Sequence, residues 1–147
     1  MAAGLTVPEE NIPALRSRLT EIYRQEGGGE PESVLHIDAE LTKARILSAE
    51  NVEALDRLEP YGNGNPQPVF CIRDAEIVSV TAVGGGKHTR VWLRKQGETL
   101  EGIFFSHSPQ MLGVEAGKRV EAAFSPQLNV FRGRTTVQLN LIDIRVY

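Results

Sequence analysis

Hydrophobic positions recur at helical spacing in the first part of the chain and alternate in the second. Ile12, Leu15, Leu19, Ile22 and Tyr23 fall on one face of a helix, with Arg16, Arg18, Glu21 and Arg24 on the other. Pro8-Glu9-Glu10 supplies the start, because Pro is tolerated in a first turn and acids favour the positive end of the dipole. The pattern therefore predicts a helix over residues 9 to 26, stopped by Gly27-Gly28-Gly29. The opening Ala2-Ala3-Gly4-Leu5-Thr6-Val7 reads as the tail of a strand, and Val34-Leu35-His36-Ile37 as a short strand-like run. A second helix is signalled by Ser48 as N-cap, Glu50 in the first turn and Val52, Leu55 and Leu58 on one face, ending at Glu59-Pro60.

Residues 60 to 68 are dense in Pro, Gly and Asn, which fix φ or permit positive φ, so they form a loop with a specific path and a domain boundary. Beyond them apolar and β-branched residues alternate over about 76–83, 88–94, 99–105, 118–124 and 135–146. Gly84-Gly85-Gly86 joins the first two runs, and Arg132-Gly133-Arg134 is the tip of a hairpin between the last two. The link from Ser106 to Gly117 fits a short helix or turn between the third and fourth. Five strands with that insertion predict an α+β chain that is mainly a five-stranded OB-fold barrel, an architecture used for oligonucleotides, behind a small helical and strand segment. The expected division is 1–58 for the N-terminal segment and its helices, 59–68 for the connector and 69–147 for the barrel.

Charge separates the two parts. The whole chain carries −3, yet residues 1–68 hold 6 Lys+Arg against 12 Asp+Glu and residues 69–147 hold 10 against 7. Only the second part is a candidate for binding phosphates. One cysteine, Cys71, excludes an internal disulfide framework, and His36, His88 and His107 make no ligand spacing, so no metal or other cofactor is expected in this chain. No run reaches 18 apolar residues, and the N-terminus lacks the basic flank of a signal peptide, so the expectation is a cytoplasmic protein with no membrane partner.

Candidate chemistry lies on the second strand. Thr89, Val91 and Leu93 share one face; His88, Arg90, Trp92 and Arg94 share the other, offering cations to phosphates and an indole to a base. The competing possibility is that Trp92 is a packing residue and the arginines only solubilise the sheet. Phe104 is expected to leave the core as a second stacking surface, and Lys87, Arg132 and Arg134 to meet phosphates from the loops. Neither glycine triplet has the strand-loop-helix context or the Lys-Ser/Thr ending of a phosphate-binding loop. Nucleophile, base and paired carboxylates are all missing, so no catalytic residue is assigned.

Several stretches together resemble the RecJ single-stranded-DNA-specific exonuclease family. Leu58 to Phe70, Leu-Glu-Pro-Tyr-Gly-Asn-Gly-Asn-Pro-Gln-Pro-Val-Phe, is similar to that family's connector into its OB-fold. Lys87-His88, Phe104-Phe105, Leu128-Asn129-Val130-Phe131-Arg132-Gly133 and Val137-Gln138-Leu139 match its barrel pattern, while the first residues and the helix from Glu9 to Glu26 are similar to the end of its DHHA1 domain. The resemblance implies a C-terminal, single-stranded-DNA-binding part of a bacterial 5′-to-3′ exonuclease of DNA repair and recombination. It further implies that the catalytic DHH domain, with its divalent Mn or Mg, lies upstream, and that the partners are single-stranded DNA, the DHH and DHHA1 domains and other repair proteins. The alternative is a structural or docking module that braces a nuclease core and binds no DNA alone.

Overall fold

The computed structural model describes residues 4–27 and 34–147, and its chain divides into two compact units that meet between Leu35 and His36. In the first, a 3-10 turn at Glu9–Asn11 leads into helix α1, Ile12–Gln25. Pro13 stands in the first α turn, where its missing N–H costs nothing. The Glu26 N–H caps the Ile22 carbonyl, and Gly27 at φ +84° turns the chain out of the helix, a conformation that glycine adopts without strain. The helix expected over 9–26 is therefore present, but its apolar stripe is not buried: Leu19 and Tyr23 are each about half exposed. Gly4–Val7 form no strand, and Met1–Ala3 and the Gly28-Gly29 stop lie outside the described residues.

In the second unit the strands are β1 Ala39–Glu40, β2 Phe70–Val83, β3 His88–Lys95, β4 Glu98–Phe104, β5 Arg119–Phe131 and β6 Arg134–Val146. Helix α2 is Ala49–Glu53, continued by a 3-10 turn to Leu58, and α3 is Pro109–Leu112. Neighbours run β2-β3-β4-β6-β5, and β5 returns to pair with β2, which closes a five-stranded barrel. Only β4 and β6 are parallel within it. This is the OB-fold arrangement expected from the strand count, with α3 in the link between β4 and β5.

The core is built by alternation. Thr89, Val91 and Leu93 of β3 are completely buried, as are Ile72, Ala75 and Ile77 of β2, Val120 and Phe124 of β5 and Leu139 of β6. In β2 the buried parity changes between Ile72 and Ala75, where the pairing with β5 slips and Asp74 takes φ +54°. That bulge explains why β2 starts six residues before the expected position 76: Arg73-Asp74 interrupts the period. β5 likewise runs on to Phe131, because beyond Ser125 it pairs with β6 as a hairpin arm and needs no core face.

Two expectations are corrected here. The run Val34–Ile37 is not a strand; the strand is β1, set parallel to β2 by the pairs Ala39↔Phe70 and Glu40↔Cys71. The barrel unit also begins at His36, ahead of the Pro-rich loop. Ala44 is 2% exposed inside the barrel core, with Leu41 and Leu47 packed against it, so residues 36–58 belong with the barrel. Ser48 accepts the Asn51 N–H as the N-cap of α2, as expected. The loop at 60–68 is itself tied down: Tyr61 Oη donates to the Leu55 carbonyl, Asn65 Nδ2 to the Leu58 and Pro60 carbonyls, and Ser125 Oγ to the Pro68 carbonyl.

Gly102 of β4 leaves room for the Leu141 side chain of β6. A Cβ at this position would lie 2.5 Å from Leu141 Cδ1 of β6. Gly102→Val is expected to overpack the barrel and cost about 1–3 kcal/mol. Phe124→Ala, which empties the largest fully buried side chain, should cost about 3–5 kcal/mol. Urea denaturation of both variants checks the order.

Candidate nucleic-acid interface

Burial of Thr89, Val91 and Leu93 forces their neighbours outward, so His88, Arg90, Trp92 and Arg94 share the external face of β3 as expected. The turn after β3 sets what stands beside them. Gln96 and Gly97 both have positive φ, as a two-residue hairpin turn requires, and the register counts back from Lys95↔Glu98 to Arg94↔Thr99 and Trp92↔Glu101. The same register places Phe104 opposite the inward Thr89, and Phe104 is 2% exposed in the core. The expectation that Phe104 stacks a base is therefore wrong. Phe105, 46% exposed, is the accessible aromatic of that pair, and its ring meets the edge of His88 at 5.3 Å.

The face is less basic than its arginines suggest. Arg90 Nε lies 2.9 Å from Glu101 Oε1, and Arg94 Nη2 lies 2.9 Å from Glu76 Oε1. Arg90 Nε is buried, and its N–H is not directed well enough at the carboxylate to make a hydrogen bond. The Arg94–Glu76 pair is exposed, and such a pair is worth about 0–1 kcal/mol, so an incoming phosphate can displace Glu76. Lys87 in the β2–β3 turn and Arg134 in the β5–β6 hairpin are exposed and make no ion pair among the described residues. Arg132 sits at the hairpin tip with φ +49°, its guanidinium 5.3 Å from the Phe131 ring centroid. Val130 and Phe131 are 68% and 65% exposed, so the tip is an apolar and cationic knob.

Trp92 is half-buried in the wall of a groove of about 500 Å³. Glu98, Thr99 and Glu101 of β4, Thr135 and Thr136 of β6, and Arg45 from the segment before α2 share that groove. Trp92 is thereby brought together with the hairpin, since Thr135 directly follows Arg134. Lys87 and His88 are not part of this group; His88, four residues along the strand from Trp92, stands about 13 Å away, with Lys87 beyond it. There they line a second depression with Gly86, Ser106, Ser108 and Met111. His88 Nδ1 accepts the Ser106 N–H at 2.9 Å, so its ring anchors the 105–108 loop. Arg45, Glu98, Glu101 and the three threonines are groove residues that the sequence reading missed.

The seam between β2 and β5 carries a network of ion pairs. Arg73 Nε reaches Glu40 Oε2 at 3.2 Å and Glu121 Oε1 at 3.3 Å, and Arg119 bonds Asp74. Cys71 donates to Glu121 Oε1, and burial, aided by that carboxylate, pushes its thiol up to about 11. It is thus a protonated thiol at neutral pH and a poor nucleophile. Among the described residues, no three His, Cys, Asp or Glu side chains are grouped to hold a metal.

The family model described as the RecJ OB domain matches residues 37–143, nearly the whole barrel unit. The chain belongs to the RecJ OB domain family. The single-stranded-DNA-specific exonuclease RecJ of Bacillus subtilis is 28% identical over 99% of this chain. That of Dickeya dadantii is 29% identical over 95%. The chain spans only 19% and 24% of the length of these relatives. Crystal structures of Thermus thermophilus RecJ share the fold. The complex with Mn2+ superposes with a TM-score of 0.72 at 24% identity, covering 97% of this chain and 20% of that one. The complex with Mg2+ gives 0.71 at 23% identity, covering 95% and 21%. The ions of those RecJ structures find no ligand set among the described residues here.

The hydrogen bond from Arg119 holds the Asp74 carboxyl below its ordinary value. A lowered carboxyl contributes stability above its unfolded value near pH 4 and loses it as pH falls through the folded value. Asp74→Asn keeps a residue suited to positive φ. The expected outcome is lower stability than the parent at about pH 6 and no difference at about pH 2, read from urea midpoints.

Proposed function

We propose that the barrel, residues 36–147, holds single-stranded DNA for a RecJ-type exonuclease and that hydrolysis is carried out by residues outside this chain. The observation that carries the reading is the half-buried indole of Trp92 in the wall of an open groove, on the outer face of a barrel that matches the RecJ OB domain family. A base stacked on the indole gains affinity whatever its identity, because every base has a π-face. Lys87, Arg45, Arg132 and Arg134 supply cations at the edges of the face. Arg94 joins them once a phosphate replaces Glu76, and Arg90, whose side chain is 42% exposed, adds its charge from beside Glu101. His88, whose Nδ1 accepts the Ser106 N–H, keeps Nε2 for a phosphate beside Lys87.

Residues 1–35 fit the end of a DHHA1-like unit, on the resemblance of the opening and of α1. The partners that follow are the DHH and DHHA1 domains of the parent enzyme and other repair proteins, and the divalent metal belongs to the DHH domain. A bacterial cytoplasmic location goes with that role. No described helix is long and apolar enough to cross a membrane. The pairing of Arg90 and Arg94 with carboxylates favours a second reading, in which the barrel braces the nuclease core and does not bind DNA alone.

Titration of the 147-residue chain with a labelled single strand, and with duplex as control, separates the two. DNA holding predicts salt-sensitive binding that prefers the single strand and quenches Trp92, the chain's one tryptophan. Trp92→Ala should weaken it by about 1–3 kcal/mol, roughly five- to 150-fold. A folded Trp92→Ala protein with unchanged affinity removes the indole from the interface, and no binding at low salt favours the brace.

A further inference from the structure

The groove beside Trp92 has the wrong chemistry for a phosphate. Its lining carries two carboxylates, Glu98 and Glu101, and the hydroxyls of Thr99, Thr135 and Thr136, against one cation, Arg45. A phosphodiester laid into it meets like charge. A flat, neutral ligand with hydrogen-bond donors on its edge does not. We propose that this groove takes a nucleobase bearing an exocyclic amino group, stacked on Trp92, with Glu101 as the acceptor that reads it. The inference rests on the DNA-holding function above and adds a base preference to it.

Register makes the pair. Trp92 and Glu101 stand directly opposite each other on β3 and β4, so their Cβ atoms are about 4.5–5.5 Å apart and a ring stacked on the indole has its edge within reach of the carboxylate. Glu101 has little room to move: its side chain is only 16% exposed, with Arg90 Nε 2.9 Å from Oε1. Its other oxygen, Oε2, takes no hydrogen bond from any described residue. A carboxylate only accepts. It suits the amino groups of cytosine and adenine and the N–H edge of guanine, and it opposes the 4-keto oxygen that thymine and uracil present. Glu98, at the start of β4 and of the other strand parity, also lines the groove and adds to the bias against acceptors. The phosphates then run outside the groove, along Arg45 and the Arg132–Arg134 hairpin tip.

The test compares short oligodeoxycytidine with oligodeoxyuridine, bases of one size that differ at the 4-position, by anisotropy with the 147-residue chain at about pH 8. Parent protein is expected to bind the cytidine oligomer about three- to tenfold more tightly, the scale of a single good base contact. Glu101→Gln, whose amide both donates and accepts, should bring the ratio to about one, whatever the release of Arg90 does to affinity overall. Equal affinities in the parent, with Trp92→Ala weakening both, overturn the base preference and leave DNA holding intact. A preference that survives Glu101→Gln overturns the role of Glu101. Failure of the parent to bind either oligomer overturns the DNA-holding function and this inference with it.

Discussion

Closure of the barrel is the constraint on which the interface depends. β5 pairs with both β6 and β2, so every barrel strand has one side turned into a core with no room for water and one side turned out. With Val91 and Leu93 fully buried, Trp92 has no choice of side. An indole on the solvent face of an antiparallel pair is costly unless something covers it. Here the half-buried indole shares a groove with Ala44, Arg45, Leu47, Ser48 and Ala49. The segment before α2 thus has two jobs, since Ala44 completes the core on which the strands close and Arg45 lines the site outside it.

Electrostatics then decides what kind of surface results. The barrel part has an excess of Lys and Arg, yet Arg73, Arg90, Arg94 and Arg119 are engaged with carboxylates, while Lys87, Arg132 and Arg134, in the turns beside the face, make no ion pair among the described residues. A strand laid across the barrel would meet a stacking platform and acceptors in the middle and positive charge at the margins.

Much of this was legible in the sequence. The alternation in 88–94 identified the outward face, and glycines at 84–86 and 133 located two of the hairpins that frame it. Turn counting carries further than alternation: Gln96-Gly97 pairs Lys95 with Glu98, and from that pair alone Trp92 falls opposite Glu101 and Phe104 opposite Thr89. Phe104 was misplaced because Ile103, on the outward side of β4, is also buried, so apolar character did not mark the inward face there. The partnership of residues 36–58 with the barrel was not legible, because it rests on contacts such as Ala44 with the core and Glu40 with Arg73, far apart in sequence and without a local period. The bulge at Asp74 hid the start of β2 for a related reason: it is a break in the only signal that a strand emits.

The central claim is that the outer face of β3 and β4, with residues 44–49 and the β5–β6 hairpin beside it, receives the strand. Amide chemical-shift mapping of the isotope-labelled chain during addition of a short single-stranded oligonucleotide tests it most directly. Shifts concentrated in β3, β4, residues 44–49 and the Arg132–Arg134 hairpin are the predicted result. Shifts confined to the ion-paired side around Arg73, Asp74, Arg119 and Glu121, or none at saturating oligonucleotide, would contradict it.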